Sequence, residues 1–449
     1  MASSPTKPPP LSTLLPPLIL GTATFNTQYV PDPHRMPANL IVSRALSLGI
    51  RAFDTSPYYG PSESILGSAL SHALSSPSLP QPIPRTSLFL ITKCGRIAPE
   101  KFDYSPPQIR YSVLRSLRQL GTGYLDLVYA HDVEFVSDAE VLAAVKELRR
   151  LRGEGLVRYV GISGFPVERL VELAEMVERE TGEGVDAVLS YGNFTVQNRT
   201  LGRAEVLEGK KAEGKEGESW LRRFKEAGVG VVLNASMLGM GLLTSAGIPP
   251  DPEVPVVLDG GERKKSPLAK WHPSPPNLRL ACKELAELAK QKGERLESVA
   301  IRWALAEWAR VGAEAGLGMR VGDGGGVDTV GGTVMGVTSV AELEETVREW
   351  KGVLAARKEG REKDDDDEAE AEADREMQRR ILELVEKEMW PALEKEGWLD
   401  YSWASPGEGF VNQLKDEERG IVPQDDGVLA GYEEAKTRAA REWKAAFCC

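Results

Sequence analysis

Cysteine and histidine are scarce in this chain, with four of each among 449 residues. The cysteines are Cys94, Cys282 and the terminal pair Cys448 and Cys449, and none has metal-ligand spacing. No metal site and no disulfide scaffold is implied, and a reducing, cytoplasmic setting is expected. The final Cys-Cys lacks the spacing of a C-a-a-X box and reads as an exposed tail. Positive charge is also in deficit: the net charge is -12, which removes the electrostatic grip that nucleic-acid binding needs. No apolar run approaches the ~20 residues that span a bilayer, so no membrane partner is expected. The opening MASSPTKPPPLSTLLPPLIL is broken by prolines and has no charged segment before a clean apolar core. Residues 1–16 therefore read as a flexible lead-in, not a signal peptide. A G-x-G-x-x-G after the first strand is missing too, which disfavours a doubly wound dinucleotide fold.

What is present is an alternation of short apolar runs and amphipathic helices from residue 40 onward, the mark of parallel βαβ units. The runs are Ile50–Phe53, Leu88–Ile91, Leu125–Ala130, Tyr159–Ile162, Ala187–Leu189, Val229–Leu233 and Thr333–Val337. Being apolar at nearly every position, they suit strands buried on both faces. Stripes at Ile109, Val113 and Leu117, at Val141, Val145 and Leu148, and at Leu170, Leu173 and Val177 predict the intervening helices. Ser105 before Pro106 is expected to cap one helix start, and Gly153 to close the next helix. These seven strands favour a (β/α)8 barrel, although no eighth is evident. Three polar segments, Glu208–Glu218, Val321–Gly332 and Lys363–Asp374, are expected to be solvated loops. The chain divides into the lead-in, a barrel over 17–362, an acidic linker over 363–374 and an extension over 375–449.

Catalytic groups of such barrels sit just past the carboxyl ends of strands. Those positions here hold Asp54, Tyr59, Lys93 and His131. The set suits proton transfer at a carbinol or carbonyl oxygen. A tyrosine ionises near ~10, and a neighbouring ammonium is expected to lower that value. Asp54 would hold Lys93, and His131 would donate to the substrate oxygen. With no nucleophile and no metal, the set needs a cofactor to carry hydride.

These residues lie in FDTSPYYGPSESILGSAL (Phe53–Leu70), LITKCG (Leu90–Gly95) and LDLVYAHD (Leu125–Asp132). Together the three stretches resemble the aldo-keto reductase signature. The resemblance runs from about Pro17 to about Lys351. It implies a (β/α)8 barrel, a nicotinamide cofactor, and Tyr59, Asp54, Lys93 and His131 as catalytic residues. Within YVGISGFP (Tyr159–Pro166), Ser163 stands where the family binds the carboxamide, and Gly164 where asparagine is usual. Ser190 replaces a frequent glutamine. In NASMLGMGLLT (Asn234–Thr244), Ala235 replaces the tyrosine that stacks on nicotinamide, and Ser236 and Leu238 are implied cofactor contacts. TVMGVTSVAELEETV (Thr333–Val347) resembles the adenosine-phosphate segment, implying contacts from Gly336, Glu342, Glu345 and Thr346. Glu342 stands where NADP-using members often carry arginine, so NAD is the implied cofactor, with NADP weaker.

KWHPSPPNLRLACK (Lys270–Lys283) and GWLDYSW (Gly397–Trp403) are similar to segments of plant L-galactose and fungal D-arabinose 1-dehydrogenases. Oxidation of an aldose at its anomeric carbon is thereby implied, with Tyr58, Trp271 and His272 facing a small sugar. An NADPH-dependent aldehyde reductase of broad specificity is the second reading. A non-catalytic, cofactor-binding regulatory subunit is the third. The sequence carries no signature of oligomeric state.

Overall fold

A computed structural model describes residues 8–75, 82–203, 219–253, 255–257, 263–321, 328–357 and 365–447. Its centre is a closed barrel of parallel strands. In chain order these are β1 (Leu18–Gly21), β2 (Ala52–Asp54), β3 (Phe89–Cys94), β4 (Leu125–His131), β5 (Val157–Gly164), β6 (Ala187–Tyr191), β7 (Val231–Ala235) and β8 (Gly332–Gly336). Each of the seven expected runs contributes a strand. The eighth is β1, which closes the barrel by pairing with both β8 and β2. It is four residues long, begins directly after Pro16 and Pro17, and is wholly buried. Too short to show a period and prefaced by prolines, it has no local mark that separates it from a linker.

Helices α1 (Ala38–Ser47), α2 (Ser62–Leu74), α3 (Pro106–Leu120), α4 (Asp138–Gly153), α5 (Val167–Thr181) and α6 (Trp220–Glu226) follow the first six strands. Next come α7 (Pro276–Gln291) and α8 (Leu296–Glu314), and after β8 comes α9 (Val340–Arg357). The predicted stripes on α3, α4 and α5 are buried against the barrel. Two helix ends differ from expectation. Ser105 precedes α3, but its hydroxyl makes no cap bond. Gly153 is the last helical residue of α4, and the left-handed turn falls on Gly155 at φ +82°. A capping box between Ser137 and Glu140 fixes the start of α4.

Over its described residues, 8–16, the lead-in is not loose. Leu11 and Leu15 are buried beneath the barrel among Ile19, Phe89 and Tyr159, and the Tyr159 hydroxyl donates to the Pro9 carbonyl at 2.6 Å. Apolar side chains must plug the open amino-terminal end, and these leucines supply that plug. The glycine-rich insertion is also partly ordered. Met319–Arg320 and Thr329–Val330 pair as an antiparallel hairpin whose tip, 322–327, lies outside the described residues, as do Glu208–Glu218 and Cys448–Cys449.

The acidic run is corrected most sharply. From Asp365 it forms the first turns of α10 (Asp365–Leu384), not a solvated linker. Ala371 is buried, and Asp374 accepts from both terminal nitrogens of Arg302 at 3.1 Å. Arg302, on α8, is buried and also reaches Glu349 on α9 and Gln378 on α10. Gly352 makes room for this junction, since a Cβ there would stand 2.3 Å from Asp374 Oδ1. One buried guanidinium thus pins an otherwise polar helix that composition alone assigns to solvent.

The chain then crosses the carboxyl-terminal mouth of the barrel. Gln197 donates to the carbonyls of Trp398 and Tyr401, and Asp400 pairs with Arg199 and Arg203. Ser405 reaches Glu134 beyond β4, and Asn412 pairs both ways with the Phe102 backbone. A last helix, α11 (Tyr432–Phe447), packs at the Gly121–Gly123 turn near the opposite end. Among the described residues no helix is long and apolar enough to cross a membrane.

Replacing Asp374 with alanine leaves Arg302 short of its principal acceptor. Loss of a charge-assisted hydrogen bond should lower unfolding free energy by about 1–3 kcal/mol. Urea denaturation of the two proteins measures this, and an unchanged midpoint would show that α10 is held by other contacts.

Candidate active site

Side chains alternate between the interior and the helical layer along each strand. The interior set includes Ile19, Ala52, Ile91, Tyr129, Tyr159, Leu189, Leu233 and Val334. Continuing the alternation to the carboxyl ends gives an inward ring of Gly21, Asp54, Lys93, His131, Ser163, Tyr191, Ala235 and Gly336. Around the barrel, the three ionisable groups occupy adjacent strands β2, β3 and β4. The smallest residues, Gly21, Gly336 and Ala235, occupy adjacent strands β1, β8 and β7. One side of the mouth carries the reactive groups, and the other is lined by the smallest residues of the ring.

On the equipped side, Lys93 Nζ donates to Asp54 Oδ1 at 2.5 Å and to the Thr55 carbonyl at 2.9 Å, with both side chains buried. Burial pushes the Asp54 carboxyl upward, and the Lys93 charge pulls it part of the way back. Tyr59 lies in the turn Pro57–Tyr59, which Ser56 caps by accepting from the Tyr58 amide at 3.1 Å. Lys93 Nζ stands 4.8 Å from the centre of its ring. The expected depression of Tyr59 is not found. Desolvation, reinforced by the charges of Asp54 and Asp132, pushes its hydroxyl well above the ordinary phenol value. At rest Tyr59 is a phenol, because burial, and after it the adjacent carboxylates, oppose its ionisation.

His131 is edge-on to Tyr59, with ring centres 5.7 Å apart. Burial pushes its pKa down to about 3, so the ring is neutral at physiological pH. Ser56 Oγ lies 3.2 Å from Nδ1, while Asp132 Oδ2 lies 3.6 Å from Nε2. A carboxylate beside Nε2 favours the proton there, leaving Nδ1 to accept from Ser56. His131 can therefore donate through Nε2 without being charged. The Tyr104 hydroxyl donates to the His131 carbonyl and fixes its backbone.

Sequence reasoning did not single out Ser56, Arg96, Asp132 or Glu134. Arg96 pairs with Asp132, and its guanidinium lies 3.9 Å above the Tyr58 ring, so Tyr58 does face the mouth. Glu134 accepts from the Phe165 amide and from Ser405, and burial pushes its pKa up to about 8. Its other oxygen would lie 2.3 Å from a Cβ at position 164. That carboxyl excludes the asparagine usual at Gly164. The absent side chain was the one available signal of a space filled from elsewhere.

The remaining expected contacts divide. Ser163 faces inward, and Ser236, at φ +57°, and Leu238 are half-buried just past β7. Gly336 is exposed at the end of β8. Ser190 points into the helical layer, where its oxygen accepts from Asn193 at 2.9 Å. Thr346 is buried and spends its hydroxyl on the Glu342 carbonyl. Glu342 caps α9 by accepting from the Thr338 amide and hydroxyl at 2.7 and 2.8 Å. Glu345 pairs with Arg295 and Ser298, which puts a cation where none was expected. Trp271 packs edge-on to Tyr29 and donates to the Gln28 carbonyl. His272 is buried; Nε2 contacts the Gly239 carbonyl, and Nδ1 meets the amide and hydroxyl of Ser274. A carbonyl can only accept, so Nε2 carries the proton and neither nitrogen is left for substrate. The wall at that point is Trp403, stacked 4.7 Å from Phe165 and edge-on to His272.

The aldo/keto reductase family model matches residues 17–359. The D-arabinose 1-dehydrogenase of Saccharomyces cerevisiae is 38% identical over 298 residues, 66% of this chain and 77% of that one. The L-galactose dehydrogenase of Arabidopsis thaliana is 32% identical over 309 residues, 68% of this chain and 75% of that one. A D-threo-aldose 1-dehydrogenase of a Pseudomonas species is 27% identical over 182 residues, 35% of this chain and 50% of that one. With a closed parallel barrel and a family match over most of its length, this chain belongs to the aldo/keto reductase family, the nicotinamide-dependent oxidoreductases.

Proposed function

We propose that this protein oxidises the anomeric carbon of an aldose, D-arabinose or a related sugar such as L-galactose, to the aldono-1,4-lactone, with NAD in preference to NADP. The observation that carries the reading is the buried Lys93–Asp54 pair beside Tyr59 and His131 at the mouth of the barrel. The names of the two relatives matched over most of their length point to an aldose. We assign the protein to the cytoplasm, in keeping with its free, buried Cys94 and Cys282.

Gly21, Gly336 and Ala235 bring no bulky side chain of their own to the ring, with Val334 and Thr24 packed where Cβ atoms at 21 and 336 would stand. Ser163, Ser236, Leu238, Gly336 and Glu342, at or beyond the ends of β5, β7 and β8, would hold the cofactor. Bound NAD supplies the hydride acceptor. His131 donates through Nε2 to the reacting oxygen, and Tyr59 takes its proton. Tyr59 does so as the phenolate left after its own proton has gone to solvent, and becomes a phenol again; Lys93 stabilises that phenolate, and Asp54 keeps the lysine positioned. Because Tyr59 rests as a phenol, it equally serves the reverse reaction as the acid that protonates an aldehyde oxygen.

Three outcomes test this assignment. Tyr59→Phe keeps the ring and removes the oxygen, so sugar oxidation should fall about 10²–10⁴-fold while NADH affinity is unchanged. Retention of more than about a tenth of the wild-type rate would remove Tyr59 from the proton-transfer role.

The pH dependence has a definite sign. Oxidation needs the deprotonated phenol, whose pKa is raised, so kcat should climb with pH into the alkaline range. His131 stays neutral down to about 3 and should add no limb near pH 6.5. A plateau from neutral pH upward would contradict the raised phenol.

Cofactor choice rests on Glu342. A carboxylate there repels a 2′-phosphate, whereas a guanidinium would bind it with paired, charge-assisted hydrogen bonds. Glu342→Arg should shift the NAD to NADP ratio of kcat/KM toward NADP, chiefly through cofactor affinity. A wild type that already prefers NADP would redirect attention to Arg295.

A further inference from the structure

The proposed chemistry leaves one buried ion pair at the mouth unused: Asp132, directly after His131, and Arg96, from the short hairpin that follows β3. Asp132 sits at φ +56°, in the left-handed region that non-glycine residues seldom adopt. This bend is held in place. Arg96 binds Oδ2 and is itself pinned to the Pro99 carbonyl at 3.0 Å and to the face of Tyr58. Paired with a guanidinium, which keeps its charge, Asp132 is a carboxylate.

Two features point away from a purely structural pair. Among the described residues nothing donates to Asp132 Oδ1, although the side chain is only 3% exposed. That oxygen is not among the fully sealed, unpartnered polar atoms, so it is left able to accept from a ligand. The 3.6 Å between Asp132 Oδ2 and His131 Nε2 is also too long for a hydrogen bond, so Asp132 is not simply the orienter of the ring. Instead a neutral donor, His131 Nε2, stands beside the charged Asp132 carboxylate, close enough for one ligand to engage both. The reacting oxygen accepts from the first, and a neighbouring hydroxyl donates to the second.

We propose that Asp132 is the specificity residue of this site, accepting a hydrogen bond from the hydroxyl on the carbon next to the reacting one, with Arg96 as its positioning residue. The site thereby selects 2-hydroxy carbonyl compounds and their hemiacetals over plain aldehydes. This inference rests on the aldose dehydrogenase reading.

The test is a cycle on the intact protein with NAD, using D-arabinose and 2-deoxy-D-ribose, which is the same sugar without its 2-hydroxyl. Wild type should favour D-arabinose in kcat/KM by roughly 10–100-fold, the effect of one charge-assisted hydrogen bond. In Asp132→Asn that preference should shrink to within about threefold, with the loss on D-arabinose appearing mainly in KM. NADH affinity, read by protein fluorescence, should not move. Equal losses on both sugars would overturn the proposal in favour of a positioning role for Asp132. A wild-type ratio near one would overturn it without any variant, and Asp132→Ser carries the same comparison should the asparagine protein fail to fold. Failure of the wild type to oxidise D-arabinose, 2-deoxy-D-ribose or L-galactose would overturn the dehydrogenase reading and this assignment together. Turnover of both sugars with an unchanged ratio in the variant overturns this assignment alone.

Discussion

Lys93 and Asp54 are both out of water and meet at 2.5 Å inside the carboxyl-terminal ring of the barrel. Neither charge could stand there alone, because removing one partner of a buried pair typically costs about 3–5 kcal/mol. Their adjacency requires β2 and β3 to be neighbours in register, and that in turn depends on β1 closing the sheet behind them. The same pair governs the electrostatics above it. Asp54 and Asp132 hold Tyr59 as a phenol, and burial holds His131 as a neutral donor. The resting site carries charge only on groups that are already paired.

A barrel interior is filled in layers, so a site at its mouth exists only where a layer is left incomplete. Here the incompleteness is one-sided. Gly21, Gly336 and Ala235 stand on adjacent strands and bring little side chain to their sector, while the polar groups crowd the opposite arc. Two neighbouring positions show how tightly the rest is occupied. Gly164 lacks a side chain because Glu134 fills its volume, and His272 is consumed in holding the chain that carries Trp271.

The segment beyond α10 is integral to that mouth. It brings Trp403 against Phe165, Ser405 against Glu134 and Phe410 against Phe102 and Phe135. It then runs outside the helical layer, where Gly420 donates to Asp103 and Asp426 accepts from Tyr111, before α11 docks near the turn ahead of β4. Wall and scaffold are therefore one continuous strand of chain. A change at the base has a covalent route to the rim.

The strand runs, the helical stripes and the four ionisable positions at strand ends were legible because each is a local pattern. A buried parallel strand is apolar throughout, and a strand end is marked by where that run stops. The ordered lead-in, β1, the acidic helix α10 and the Arg96–Asp132 pair were not legible, and they share a cause. Each is stabilised by residues far away in sequence: Tyr159 for the lead-in, Thr333–Gly336 for β1, Arg302 for α10, and an aspartate thirty-six positions on for Arg96. Local composition registers whether a segment can bury itself, but not whether a distant partner will bury it. The amino-acid sequence by itself thus determined the barrel and the ionisable groups at its mouth. Which protonation state those groups rest in, and which hydroxyl-binding group stands beside them, was decided only when closure brought Asp54, Asp132 and Arg96 around Tyr59, because desolvation and charge act through space and not along the chain.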